Sequence, residues 1–203
     1  MLTLDHLAVA AASLPEGRQA VEEALGVRLQ TGGQHPHFGT HNLLLGLEDG
    51  LYLEVIAIDP RATPPRHPRW FNLDRFQGAP RLGNWICRTD DLPAVEAALP
   101  GLGKTVNLQR GDLLWRMTVP EDGLLPFDNC HPAVIQWDSE LHPAAVLTQV
   151  GVALRHLVVS HPDADEMKTR LSDQLSDPRV TYQTGPAGLH AEFDTPHGRR
   201  VLS

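Results

Sequence analysis

HFGTHNLLLGLEDGLYLEVIAIDP, His37 to Pro60, holds two apolar runs, His41 to Leu47 and Leu51 to Ile58, parted by Glu48-Asp49-Gly50. Asp-Gly between such runs signals a hairpin, because a tight connection needs positive φ that these residues tolerate. Two antiparallel strands are expected. Glu54 interrupts the second run. Side chains alternate faces along a strand, so Glu54 shares a face with Tyr52 and Ile56, while Leu53, Val55 and Ala57 take the other. A carboxylate among apolar neighbours is costly to bury alone. It requires a hydrogen bond, a cation or a metal.

Before this hairpin, Leu2 to Ala10 alternates as a strand, and Ser13-Leu14-Pro15-Glu16 has the spacing of a capping box. A helix is expected from Pro15 to Leu25, ended by Gly26. A Gly32-Gly33 turn and a loop carrying His35 and His37 lead into the hairpin. The first module, residues 1–60, is therefore βαβββ. Residues 61–80, rich in Pro, Arg and aromatics, form a connector.

The pattern then returns. Leu82 to Leu92 lies over Leu4 to Leu14 without a gap, Asn84 falling on His6. A helix, strands at Thr105–Gln109 and Leu113–Val119, and a last strand Ala133–Trp137 complete a second βαβββ module over residues 81–148, with Gln136 in the place of Glu54. A third start, Val152 to Val159, opens a partial β-α-β repeat over residues 149–203, packed on the same domain. Units of this kind bury their sheets by pairing. The fold class expected is α+β, tandem βαβββ modules curling a mixed sheet around a cavity. His6 and Glu54 face Asn84 and Gln136 across it.

A net charge of -8 argues against nucleic acid or an anionic membrane as partner, since both demand clustered Lys and Arg. Two cysteines without CxxC spacing fit a reducing compartment, and no apolar run approaches the roughly 20 residues of a membrane helix. A cytoplasmic protein is expected. No GxGxxG, phosphate-binding loop, GxSxG or HExxH occurs, so no nucleotide cofactor is expected.

Two βαβββ units with His on a first strand and Glu on a fourth resemble the vicinal oxygen chelate superfamily, the group of glyoxalase I, extradiol dioxygenases and the fosfomycin and bleomycin resistance proteins. LDHLAVAAASL, HPHFGTHNLLLGL, YLEVIAIDP, RHPRWFNLD and AVIQWD followed by HPA resemble its bacterial glyoxalase-like domain family, over residues 1 to about 160. The resemblance implies a divalent metal, iron, zinc, manganese or nickel, held on the cavity wall and completed by substrate oxygens. His6 and Glu54 match such ligand positions, and Asn84 and Gln136 depart from them. His41 completes a two-histidine, one-carboxylate set. The alternative is a Glu54 that simply pairs with His6 or His41 and holds no metal.

The remaining site candidates are Glu54 and His37 as acid or base, the latter from a lid, and Asn84, Gln136, Trp85, Trp115 and Arg116 as substrate contacts. Arg116 suits a carboxylate. Two functions stay open. One is a metal-dependent enzyme acting on a small molecule with adjacent oxygens, as isomerase, lyase or dioxygenase. The other is a metal-free protein that sequesters a small ligand. Both modules lie in one chain, so an intramolecular site is expected, with homodimerisation left open.

Overall fold

The computed structural model describes all 203 residues. The expected hairpin is present: β3 (Thr40–Gly46) and β4 (Tyr52–Ile58) pair antiparallel, with Asp49 and Gly50 at φ 59° and 70° in the connection. Around it stand β1 (Thr3–Ala10), α1 (Leu14–Leu25) and β2 (Gln30–His35). The capping residues act as expected. Ser13 accepts the Glu16 amide, and Gly26 closes α1 at φ 72°. Gly32-Gly33 is a bulge inside β2 and no turn: the register slips between Thr31 and Gln34.

The connector carries a kinked 3₁₀ segment, Trp70–Arg75, in which Phe71 and Asn72 take φ of 58° and 56° and Trp70, Phe71 and Leu73 are buried. The second module follows as β5 (Arg81–Arg88), α2 (Leu92–Ala98), β6 (Lys104–Arg110), β7 (Leu113–Val119) and β8 (Ala133–Trp137). A short helix not expected from the sequence, α3 (Pro143–Val146), precedes the third repeat. That repeat comprises β9 (Ala153–His161), α4 (Ala164–Leu171), β10 (Val180–Thr184), β11 (Gly188–Thr195) and β12 (Gly198–Leu202).

The first two modules form one curled eight-stranded sheet, ordered β2-β3-β4-β1-β5-β8-β7-β6. They join at its centre, where β1 pairs antiparallel with β5. Each half repeats the other: β1 is parallel to β4, and β5 is parallel to β8. The curl brings the two edge strands, β2 and β6, against each other.

The sheet has two apolar faces. Its outer face joins α1, α2 and the third repeat in one core of 33 buried residues, among them Leu7, Val55, Trp85, Leu157 and Phe193. The inner face holds a second core that includes Ala8, Ile56, Trp70, Ile86, Trp115, Met117 and Ile135. The third repeat, a separate sheet ordered β10-β9-β11-β12, covers the outer face. No helix is long and apolar enough to cross a membrane.

Candidate functional site

The inner face encloses a chamber of about 30 Å³, lined by His6, His35, Asn42, Tyr52, Glu54, Arg110, Trp115 and Trp137 among others. That is room for one or two waters. Larger depressions exist, including one of about 670 Å³ beside α1, but its walls are surface residues such as Arg18, Glu22 and Arg28, which pair among themselves.

Within the chamber, strand alternation places Glu54 as expected, on the face of Tyr52 and Ile56. Its Oε1 accepts from the Asn42 amide at 2.5 Å, and its Oε2 stands 3.8 Å from His6 Nε2. The His6 ring stacks on Tyr52, centroids 4.2 Å apart. Behind it lies Asp5, fully buried. β1 bulges against β5 between Leu4 and His6, and the extra residue is Asp5. Its Oδ1 takes His6 Nδ1 at 2.6 Å; its Oδ2 takes His142 Nε2 at 2.9 Å, Trp137 Nε1 at 3.1 Å and Arg88 Nη1 at 3.4 Å.

Burial alone would raise the Asp5 pKa. The hydrogen bonds and charges of His142 and His6 outweigh burial and hold the carboxyl well below the usual carboxylate range. An ionised Asp5 accepts only, so the His6 proton sits on Nδ1 and Nε2 alone faces the chamber. The His142 tautomer follows similarly: its Nδ1 accepts the Ala144 amide, so Nε2–H points to Asp5.

Across the chamber, His35 is buried and its pKa is lowered to about 3, by burial first and by the Arg110 charge second. Arg110 Nη1 lies 3.3 Å from His35 Nε2 and 3.2 Å from Asn42 Oδ1. A guanidinium only donates. His35 Nε2 is therefore the acceptor, and its Nδ1–H faces Thr40 Oγ1 at 3.0 Å.

Of the residues singled out in the sequence, the structure gathers His6, Glu54 and Trp115 in the chamber. The others lie elsewhere. His41 is displaced by Asn42, which pairs with Ile56 and shares the face of Glu54; His41 Nδ1 stands instead 3.9 Å from Asp59. Trp85 belongs to the outer core, its Nε1 bonded to Cys130 O at 2.8 Å. Gln136 caps α2, its Oε1 accepting the Leu92 amide.

By register, Ala8 pairs with Glu54, and Ile86, 86 − 8 = 78 residues on, pairs with Ala133. Ala133 is thus the true counterpart of Glu54. Arg116 alternates away from inward Trp115 and Met117 and forks onto Asp138. Asn84 is buried without lining the chamber; its Oδ1 accepts from Asn129 at 3.3 Å and its Nδ2 has no partner. His37 is exposed, stacked on His67, and lines a groove outside the chamber.

A model of the glyoxalase-like domain matches residues 4–175. The chain belongs to the glyoxalase-like domain family. That places it in the vicinal oxygen chelate superfamily. Among solved structures, a hypothetical protein from Staphylococcus aureus superposes with a TM-score of 0.62 at 13% identity, over 92% of this chain and 88% of that one. A Streptomyces coelicolor methylmalonyl-CoA epimerase in complex with 2-nitronate-propionyl-CoA gives 0.46 at 16%, over 70% and 100%. The Mycobacterium tuberculosis methylmalonyl-CoA epimerase gives 0.40 at 17%, over 66% and 85%. The likeness to the Staphylococcus aureus protein, at 13% identity, concerns the fold alone. No curated protein matches the chain.

Members of the superfamily often bind a divalent metal. The donors of this chain do not make up a resident site for one. No three His, Cys, Asp or Glu side chains converge. His6 Nε2 and Glu54 Oε2 are a pair, Glu54 Oε1 is engaged by Asn42, and the third wall carries a guanidinium. Coordination by N and O donors normally takes three or more protein ligands.

Proposed function

We propose that this glyoxalase-like protein is an isomerase-type enzyme that moves a proton on a small molecule with adjacent oxygens, using its own acid–base groups. The observation that carries this is the chain Asp5–His6–Glu54: a buried carboxylate orients an imidazole whose free Nε2 stands 3.8 Å from a second carboxylate, in a chamber walled in part by aromatic rings. A carboxylate behind a histidine fixes its tautomer and stabilises the cation that forms when Nε2 takes a proton. Glu54 Oε2 is the second acceptor on the same wall. With a substrate C–H next to a carbonyl set over this pair, one group removes the proton and the electron pair moves onto the carbonyl oxygen. The other group takes the hydroxyl proton of the neighbouring oxygen and delivers it to that oxyanion. Return of a proton to the adjacent carbon completes an isomerisation, and in a 2-hydroxy acid return to the same carbon from the opposite face completes an epimerisation; neither needs an oxidant.

Positioned groups of this kind contribute typically 10²–10⁴-fold to rate. The test is exchange of substrate C–H for deuterium in heavy water, followed by NMR over a panel of 2-hydroxy carbonyl compounds and 2-hydroxy acids. Wild-type protein washes protium out of at least one member. Glu54→Gln and His6→Gln, folded by circular dichroism, lose about 10²-fold or more. Tight binding of a panel member with exchange in none of them would overturn the enzyme reading in favour of sequestration. Five aromatic side chains around the chamber, Tyr52, Trp70, Phe71, Trp115 and Trp137, are the observation on which that second reading rests.

The donor set also predicts metal content. Protein purified without chelator carries no stoichiometric iron, zinc, manganese or nickel by mass spectrometry. One metal per chain, lost in both His6→Ala and Glu54→Gln, would contradict this.

A further inference from the structure

The curled sheet has a seam where its edge strands meet, and one side chain crosses it. Arg110, the last residue of β6, reaches to His35 on β2 and Asn42 on β3. It passes over Gly33, where an added Cβ would lie 2.5 Å from Arg110 Cδ. The passage depends on Gly33 having no side chain. Both partners of the guanidinium are neutral, and no carboxylate lies within ion-pair distance of it.

His35, Arg110 and Trp115 line the chamber on one side and, on the other, a groove of about 560 Å³ outside the seam. The groove presents the amides of Gln34, Asn107 and Gln109 beside His37, Gln34 donating one N–H to Asp59 and Gln109 one to the Gly111 carbonyl, with no acidic residue in its wall. Chamber and groove therefore share a wall that carries an unneutralised cation.

We infer that the seam is a composite substrate site for a 2-hydroxy acid bearing an uncharged, hydrogen-bonding tail. Arg110 takes the carboxylate, the reacting carbon enters the chamber against His6 and Glu54, and the tail lies along the groove. The inference rests on the proton-transfer reading for which carbon reacts; the recognition chemistry stands on the seam. A planar guanidinium fits a carboxylate through two parallel hydrogen bonds, which neutral His35 and Asn42 do not supply.

The carboxylate belongs at the seam and no deeper, because Glu54 would repel it inside. Room for one or two waters admits a few heavy atoms, so the rest of any larger substrate passes out through the seam. There amides offer donors and acceptors together, which suits hydroxyls or amides and leaves an apolar tail unrewarded.

The experiment titrates tryptophan fluorescence, reported by Trp115 at the junction, with four probes. Lactate is the bare head, gluconate adds a polar tail, 2-hydroxyoctanoate adds an apolar tail, and gluconamide keeps the polar tail without the carboxylate. Gluconate is expected to bind at least tenfold tighter than each of the others. Arg110→Gln abolishes the preference for gluconate over gluconamide. Gln109→Leu with Asn107→Leu brings gluconate down to the level of lactate and leaves lactate unchanged.

Equal binding of gluconate and gluconamide to wild-type protein, or no binding of any probe, would overturn the inference even where Arg110→Gln fails to fold. Deuterium exchange separates the two claims. The predicted binding order without exchange removes the acid–base reading and leaves the site, whereas exchange without that order removes the site.

Discussion

Asp5 does not line the chamber, yet it holds the imidazole that does. It is a positioning residue: its Oδ1 holds His6 Nδ1–H, and three further donors fix its own orientation. In Asp5→Asn the amide presents either an acceptor or a donor to His6, so the correct tautomer is no longer enforced. The exchange rate is expected to fall about 10²-fold or more, by analogy with carboxylate removal behind a catalytic histidine, while KM changes little. Asp5→Glu, which restores the anion, recovers part of the rate. A loss in KM alone would point to a merely structural role.

His35 makes a second prediction at this scale. Its pKa falls from 6.5 to about 3 on folding, so the unfolded chain binds a proton that the folded one refuses across that window. Stability from this group is full above about 6.5 and is lost as pH falls toward 3. His131, lowered to about 4 by burial first, adds in the same direction. Thermal denaturation followed against pH is expected to show Tm dropping through this range, with a shallower slope in His35→Gln. An unchanged slope would remove the buried neutral His35.

Neither Asp5 nor His35 was legible as a site residue in the sequence. A strand pattern does not announce the bulge that turns Asp5 inward, and His35 sits beside Pro36 in a segment that reads as loop.

At the level of elements, the site depends on the period of two. Glu54 was legible because β4 alternates cleanly, its odd positions entering the outer core and its even positions facing the chamber. On β3 the same period sends Asn42 inward with Leu44 opposite Glu54, and His41 outward. A one-residue difference thus replaces a ligand-type side chain by an amide. The period also explains Arg116 and Gln136, each next to an inward neighbour, Trp115 or Ile135. Residue type drew attention to these positions, and parity overrode it.

The β2 bulge completes the arrangement. Gly33 N–H donates to Asn42 Oδ1 at 2.7 Å, and a Cβ on Gly32 would fall 2.0 Å from that same oxygen and 2.6 Å from the Asn42 backbone oxygen. Gly32→Ala is therefore expected to push the Asn42 side chain off Glu54. Backbone and side chain both oppose the new methyl, so a loss of about 1–3 kcal/mol is expected, as for overpacking. The measurement is chemical denaturation together with the gluconate titration. Full stability with unchanged affinity would mean that β2 relaxes without cost and that Asn42 is not held by the bulge.

On the scale of the whole molecule, the return of the first module in the second is legible in the sequence, whereas the third unit departs from their topology: β9 lies between β10 and β11 and runs parallel to β10, while β1 and β5 run parallel to the last strands of their modules. An exposed sheet edge needs cover or closure. The curl removes that need by bringing β2 against β6, and the uncovered surface is instead the outer face over β1 and β5, between α1 and α2. Leu4, Leu7, Val9, Trp85 and Cys87 lie there beside Leu157, Ala191 and Phe193 in a single core. Backbone hydrogen bonds fasten the units as well: Leu2 N–H to Gln174 O at 2.7 Å, Glu48 N–H to Val152 O at 2.9 Å and Leu82 N–H to Ser203 O at 3.0 Å.

A shared core means shared unfolding, and the strand that carries His6 is supported from behind by the third repeat. Phe193, on β11 and fully buried, makes the test. Phe193→Ala removes a ring from a packed site, a loss of about 3–5 kcal/mol against a total stability of order 5–15 kcal/mol. For a chain of this size that lowers Tm by roughly 2–4 °C per kcal/mol. Calorimetry is expected to show one transition, moved down as a unit, with the fluorescence of the chamber tryptophans lost at the same temperature as the heat signal. Two transitions, with the chamber signal unmoved, would mean that the third repeat unfolds alone and that the strands carrying the site do not depend on it.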